Sequence, residues 1–260
     1  MSVVGLAVAA RPRAYVRVAG LDALDYLQRM LSNDVVALGV GDACEALLLT
    51  AKARVIAPLV VWRRGEDDVL LLTEPELGEV VRSHLVRMRL AAKAEIELEE
   101  HSSAIVFGPA EGIPTADYGE PAVEVLDGGL PATMGDEELE VRRIRAGTAR
   151  YGREIDDRVL PAEAGLVDRA VSFAKGCYPG QEPVARLHHR GHVNRVLRVL
   201  EIETTVPPPY DAEVHHEGRA VGRVTSAVRD GERVVALGYV RVEVPDGAAL
   251  EVGGAVARLH

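Results

Sequence analysis

Eight consecutive residues, Lys175-Gly176-Cys177-Tyr178-Pro179-Gly180-Gln181-Glu182, put a thiol between a cation and a turn. Pro179 presets φ for the second position of a turn and Gly180 accepts a positive φ at the third, so the spacing predicts a type II turn from Tyr178 to Gln181. Residues 181–187 then read as a short helix. Pro183 is tolerable in its first turn, Glu182 stands four residues before Arg186, and Gly191 ends it. A thiolate at Cys177 would feel the helix dipole, and Lys175 two residues back adds positive charge; both favour ionisation. The competing reading of Cys177 is a small buried apolar residue. The second cysteine, Cys44, opens the apolar run 43–49 and reads as core.

His188, His189 and His192 follow the thiol. Their spacing matches no standard zinc pattern and Gly191 interrupts the helix that would align His188 with His192, so no metal is assigned. His215 and His216 read as loop residues. The charge runs 97–100 and 136–140 read as solvated faces.

These groups must be positioned by an α+β framework. Strands are expected at 14–18, 46–49, 55–62, 69–73, 94–98, 104–107 and near 122–126. Helices are expected at 21–31, at 77–90, where Leu77, Val80, Val81, Leu85, Met88 and Leu90 recur at helical spacing, and at 137–145. After Asn194 the pattern changes to strands at 196–202, 220–228, 234–242 and 255–259, with Asp230-Gly231 as a hairpin turn. The tail reads as a small antiparallel β-barrel. The expected division is 1–193 as a two-lobed α+β region and 194–260 as the barrel, with the linker near 191–194.

A formal charge of −10 over 260 residues and a pI near 5.3 disfavour direct binding to nucleic acid or to an anionic membrane. With aromatic content of 4% and a single Trp62, a stacking platform for bases is not expected. Two cysteines without a Cys-x-x-Cys fit a reducing, cytoplasmic setting. Residues 1–11 read as a weak apolar leader without the leading positive charges of a signal peptide.

The motif Lys175 to Glu182, followed by Ala185-Arg186 and Gly191, resembles the K-G-C-[YF]-x-G-Q-E signature of the YgfZ family, related to folate-binding aminomethyltransferases and assisting iron–sulfur enzymes. The resemblance extends through Leu160-Pro161-Ala162-Glu163-Ala164-Gly165-Leu166, Ser32-Asn33-Asp34-Val35, and Val221-Gly222-Arg223-Val224-Thr225-Ser226. It implies an aminomethyltransferase-like folate-binding fold around a central cavity, with the thiol of Cys177 as the working group and Lys175, Gly176, Tyr178, Gly180, Gln181, Glu182 and Arg186 as its motif. It also implies tetrahydrofolate as cofactor, and iron–sulfur proteins or their assembly factors as partners.

The chain departs from the aminomethyltransferase branch at two acids. Where those enzymes carry an acidic pair, Ala57 and Pro58 stand; where they carry a pterin-binding glutamate, Arg145 stands in Arg143-Ile144-Arg145-Ala146-Gly147. Neither Ala57 nor Pro58 can move a proton. Glu163 is therefore the expected pterin acceptor, and Arg143, Arg145 and Lys175 are expected near the glutamate tail. The resemblance thus implies a folate-binding accessory protein without ordinary turnover. The alternative is a folate-dependent one-carbon transferase or demethylase in which Glu163 or Asp34 replaces the lost acids.

Overall fold

A computed structural model describes residues 6–260. The first four of the residues read as an apolar leader to fall in regular structure, Ala7–Ala10, form strand β1, which pairs antiparallel with β7 (Ser103–Phe107). Apolar residues at the start of a chain serve equally as a strand, and Val8 and Ala9 are buried. Residues 1–5 lie outside the described residues.

Five strands make the first sheet: β2 (Ala14–Ala19), β3 (Ala43–Leu49), β4 (Val55–Gly65), β5 (Asp68–Thr73) and β6 (Glu95–Glu99). Their order is β3-β4-β5-β2-β6. One face packs on helices α1 (Ala23–Met30) and α2 (Gly78–Met88), burying Val16, Leu27, Leu48, Leu71, Val81 and Leu85. The helix expected at 77–90 is shorter. Residues Pro75–Leu77 form a 3₁₀ turn, and Val80, Met88 and Leu90 are exposed, Leu90 with φ of 50°. The helix lies on the sheet with only a narrow stripe, so half of its apolar set finds no partner.

The second sheet has the order β1-β7-β9-β8, with β8 (Ile113–Thr115) and β9 (Ala122–Leu126). Helix α3 (Asp136–Arg145) packs between this lobe and the barrel. Strand β8 was not expected; it is three residues long and contains Pro114, too short for an alternation to show.

The C-terminal lobe is a closed six-strand antiparallel barrel of order β10-β13-β12-β11-β14-β15. Its strands are β10 (Arg195–Ile202), β11 (Glu213–His216), β12 (Arg219–Asp230), β13 (Arg233–Arg241), β14 (Leu250–Val252) and β15 (Ala255–Leu259). Gly231, with φ of 63°, turns the expected hairpin between β12 and β13. His215 and His216 lie in strand β11 rather than in a loop. Among the described residues no helix is long and apolar enough to cross a membrane.

Candidate functional site

The motif loop is pinned at three places. Gln181 N donates to Tyr178 O at 3.3 Å and Gly180 has φ of 83° and ψ of 0°, the turn that the sequence predicts. A Cβ on Gly180 would lie 2.6 Å from Thr50 O, so only glycine fits against the loop that joins β3 to β4. Tyr178 packs its ring into the core formed by Leu47, Leu166, Val184 and Tyr239. After the turn runs α5 (Gln181–Arg190), with Glu182 and Arg186 paired at 2.5 Å on its exposed side.

Lys175 supplies the third pin. Its Nζ donates to the carbonyls of Gln28, Leu31 and Asn33 at 2.5, 2.6 and 2.8 Å. These oxygens sit at the C-terminal end of α1 and just beyond it, where carbonyls lack helical partners and a cation is favoured. All three ammonium donors are thereby used, and the ring of Tyr178 lies 5.3 Å from Nζ. Burial pushes the Lys175 ammonium down to about 8, with Asp34 pulling the other way. Its charge was expected beside the Cys177 thiolate and, alternatively, at a folate tail; in the structure it holds the loop to α1.

Cys177, between these pins, is exposed. Cys44 is half-buried against the helix-covered core, and burial pushes its thiol up to about 11. Beside the loop, Phe173 stacks on His188 with ring centroids 4.3 Å apart. Among the described residues no three His, Cys, Asp or Glu side chains converge as a metal-ligand set.

A cavity of about 360 Å³ opens where the two sheets and α3 meet, and Cys177 is not among its lining residues. Strand alternation explains its chemistry. Ala57 points into the helix-covered core, whereas Pro58 faces the cavity, so the acidic pair's absence leaves the β4 wall apolar. Pro58 cannot donate to a ladder; it lies before the register in which β4 pairs with β5, and its carbonyl accepts instead from Thr73 Oγ1 at 2.9 Å.

Charge is supplied from other elements. Arg11 binds Glu74 through two bonds of 2.7 and 3.0 Å. Arg13 binds the buried Glu124 at 2.9 Å. Burial works against the Arg13 charge, but Glu124, with Glu74 and Asp117 behind it, holds the guanidinium above its usual range. Arg143 is buried and reaches Glu140 at 2.7 Å, Glu154 at 3.0 Å and Ser226 Oγ of the barrel at 2.9 Å, joining α3 to the segment that follows it and to the barrel. Arg169, on the short helix α4 (Val167–Ala170), binds Glu45 at 2.5 Å and Asp117 at 2.6 Å. Arg150 makes no side-chain hydrogen bond among the described residues; its nearest carboxylates, Glu74 and Glu140, are at 3.8 and 3.9 Å.

The residues expected to hold folate are not brought together. Glu163 accepts from Leu160 N at 3.0 Å and from Arg195 Nε at 3.0 Å, and so ties its turn to β10. Asp34 accepts from Gln28 Nε2 at 2.9 Å in the turn after α1. Arg145 lies two residues from Arg143, on another face of α3, and binds Asp230 at 2.5 Å beside the barrel. None of Glu163, Arg145, Lys175 and Asp34 lines the cavity. Sequence reasoning missed Arg11, Arg13, Glu45, Asp117, Arg150 and Arg169, which are scattered along the chain. The runs 97–100 and 136–140 are largely solvated as expected, with Glu97, Glu100, Asp136, Glu137 and Glu138 exposed, but Glu99 binds Arg64 and His101, and Asp136 and Glu140 also line the cavity.

No protein-family profile matches the chain. The chain is 26% identical over 226 residues to an uncharacterized protein of Haemophilus influenzae, covering 82% of this chain and 81% of that one. It is 28% identical to an iron–sulfur cluster assembly factor IBA57 homolog of Pyricularia oryzae, covering 81% of this chain and 61% of that protein's length. With an aminomethyltransferase of Bacillus cytotoxicus it shares 23% identity over 88% of the chain and 76% of the enzyme. Among solved structures, glycine cleavage system aminomethyltransferase T of Bartonella henselae superposes with a TM-score of 0.82 at 20% identity, over 98% of this chain and 85% of that one. The chain thus has an aminomethyltransferase fold ending in a closed barrel, and its relatives include IBA57 assembly factors and aminomethyltransferases, which fits a YgfZ/IBA57-type protein related to the glycine-cleavage aminomethyltransferase.

Proposed function

We propose that this protein is a folate-binding accessory factor in iron–sulfur cluster assembly or repair, with Cys177 as its working thiol and a central cavity that takes tetrahydrofolate. The observation that carries the reading is the separation of the two regions. Cys177 is exposed on a pinned loop outside the cavity, while the β4 wall of the cavity presents Pro58 where aminomethyl transfer would use a carboxylate. The IBA57 relatives support the cluster-assembly part of the reading.

The cavity fits tetrahydrofolate in size and kind: about 360 Å³, apolar surfaces from Pro58, Val60, Tyr118 and Leu166, and a few open polar groups from Glu45, Asp117 and Arg150. Bound tetrahydrofolate would supply a one-carbon carrier. The residues of this chain contribute binding and orientation: the arginine–acid pairs hold the walls, and the apolar surfaces exclude water. A single thiol cannot hold a cluster that takes four cysteine ligands, so Cys177 acts with groups from a client or assembly partner. A folate-dependent one-carbon transfer is the second reading, favoured by the whole-length likeness to the aminomethyltransferase fold.

The test is Cys177→Ser. Because the side chain is exposed, the variant is expected to keep its melting temperature and its tetrahydrofolate affinity by calorimetry, and to lose support of iron–sulfur enzyme activity in cells. Full support by the variant would remove the thiol from the function.

A further inference from the structure

Glu45 is a cavity carboxylate whose hydrogen bonding is left half open. It sits on β3 opposite Val60, one same-face position along from the Leu47–Pro58 pair, so β3 supplies an acid beside the place where β4 has none. Both bonds from Arg169, 3.1 Å from Nε and 2.5 Å from Nη2, land on Oε1. Oε2 accepts no hydrogen bond among the described residues. The same Nη2 reaches Asp117 Oδ1 at 2.6 Å, and Asp117 Oδ2 is likewise open. Two carboxylates from different sheets are thus held on one guanidinium at the cavity wall. The other well-buried acids are consumed: Arg11 takes both oxygens of Glu74, and Arg143 both oxygens of Glu140.

We propose that Glu45, with Asp117 beside it, accepts the N–H donors of the aminopyrimidine edge of a bound pterin, in place of the pterin-binding glutamate whose position Arg145 occupies. A flat heterocycle with adjacent N–H donors matches neighbouring carboxylate oxygens that have lone pairs to spare, and such charge-assisted bonds are among the stronger ones. Glu45 keeps 30% of its side chain exposed, so water can serve Oε2 in the free protein and a ligand donor would take that place. Arg169 is a positioning residue, holding both acids side by side. The assignment rests on the folate reading above and names the contact that would carry it.

The test is calorimetric titration of tetrahydrofolate, and of tetrahydropterin without the benzoylglutamate tail, into wild type, Glu45→Gln and Asp117→Asn, with melting curves as the check on folding. Wild type should bind both probes; Glu45→Gln should weaken both by at least about tenfold, and Asp117→Asn by less. Should Glu45→Gln lose its fold with the Arg169 pair, Glu45→Asp keeps the charge and shortens the reach; weakened binding then supports the assignment and full affinity overturns it. Binding by wild type that Glu45→Gln leaves unchanged overturns the role of Glu45 and spares the folate reading. Failure of both probes on wild type overturns both.

Discussion

The cavity and the Cys177 loop use charge in opposite ways. Around the cavity, five arginines face five acids, and most are locked into pairs, so only Glu45, Asp117, Asp136 and Arg150 keep open bonding capacity. At the loop a single buried ammonium bonds three carbonyls, and the exposed thiol of Cys177 is left outside that network. The cavity is arranged to select by the few atoms it leaves unpaired. The loop holds the Cys177 thiol on a pinned turn while leaving it accessible, which suits the proposed sharing of that thiol with a partner.

The largest separation of the two regions should come from Lys175→Met. Removing the ammonium orphans the carbonyls of Gln28, Leu31 and Asn33, and should cost about 3 kcal/mol in urea unfolding. Amide exchange in the loop around Cys177 should rise while tetrahydrofolate affinity stays within about twofold. A parallel loss of affinity would show that loop and cavity are one unit.

Arg150→Gln addresses the cavity arginine that makes no side-chain hydrogen bond among the described residues. With no hydrogen bond to lose, the variant should change stability by less than about 0.5 kcal/mol. Its affinity for tetrahydrofolate should fall several-fold by calorimetry while that for tail-less tetrahydropterin holds, because a guanidinium whose donors make no hydrogen bond suits a carboxylate tail. Equal loss on both probes would move Arg150 to the ring.

The smallest effect is a pH dependence. Burial pushes the Glu45 carboxyl above its usual range, Arg169 opposes, and Asp117 adds to the rise; Arg13 is the other charge that acts on it. A ligand that donates to Glu45 needs the ionised form, so affinity should climb as pH rises through this raised value and level off above it. In the free protein the sign reverses. A carboxyl whose folded value exceeds its unfolded one contributes stability below the unfolded pKa, lost as pH rises through the folded pKa. Titrations from pH 5 to 8 should show the affinity gain in wild type and a flat line in Glu45→Gln.

Local chemistry was legible in the sequence. The turn at Pro179-Gly180, helix α5 with its Glu182–Arg186 pair, the Gly231 hairpin and the long barrel strands each follow from residues within a few positions of one another. The motif and its matches elsewhere pointed to the fold that the comparison confirms. Loss of the β4 acids was also readable, since alternation fixes that one of Ala57 and Pro58 must face the cavity.

The partners of charged residues were not legible. Arg143 and Arg145 look alike in sequence, yet helical geometry sends one into the cavity wall and the other to Asp230. Lys175 lies two residues from the thiol, and its ammonium is bound by carbonyls more than 140 positions away. Glu45, Asp117 and Arg169 meet only because two sheets and a four-residue helix converge. Sequence by itself determined the backbone reversals, the amphipathic elements and the thiol's place in its motif, because these depend on dihedral preference and periodicity. Tertiary structure decided which charges are spent and which stay open, because a long flexible side chain takes its partner from whatever the packing brings within 3 Å.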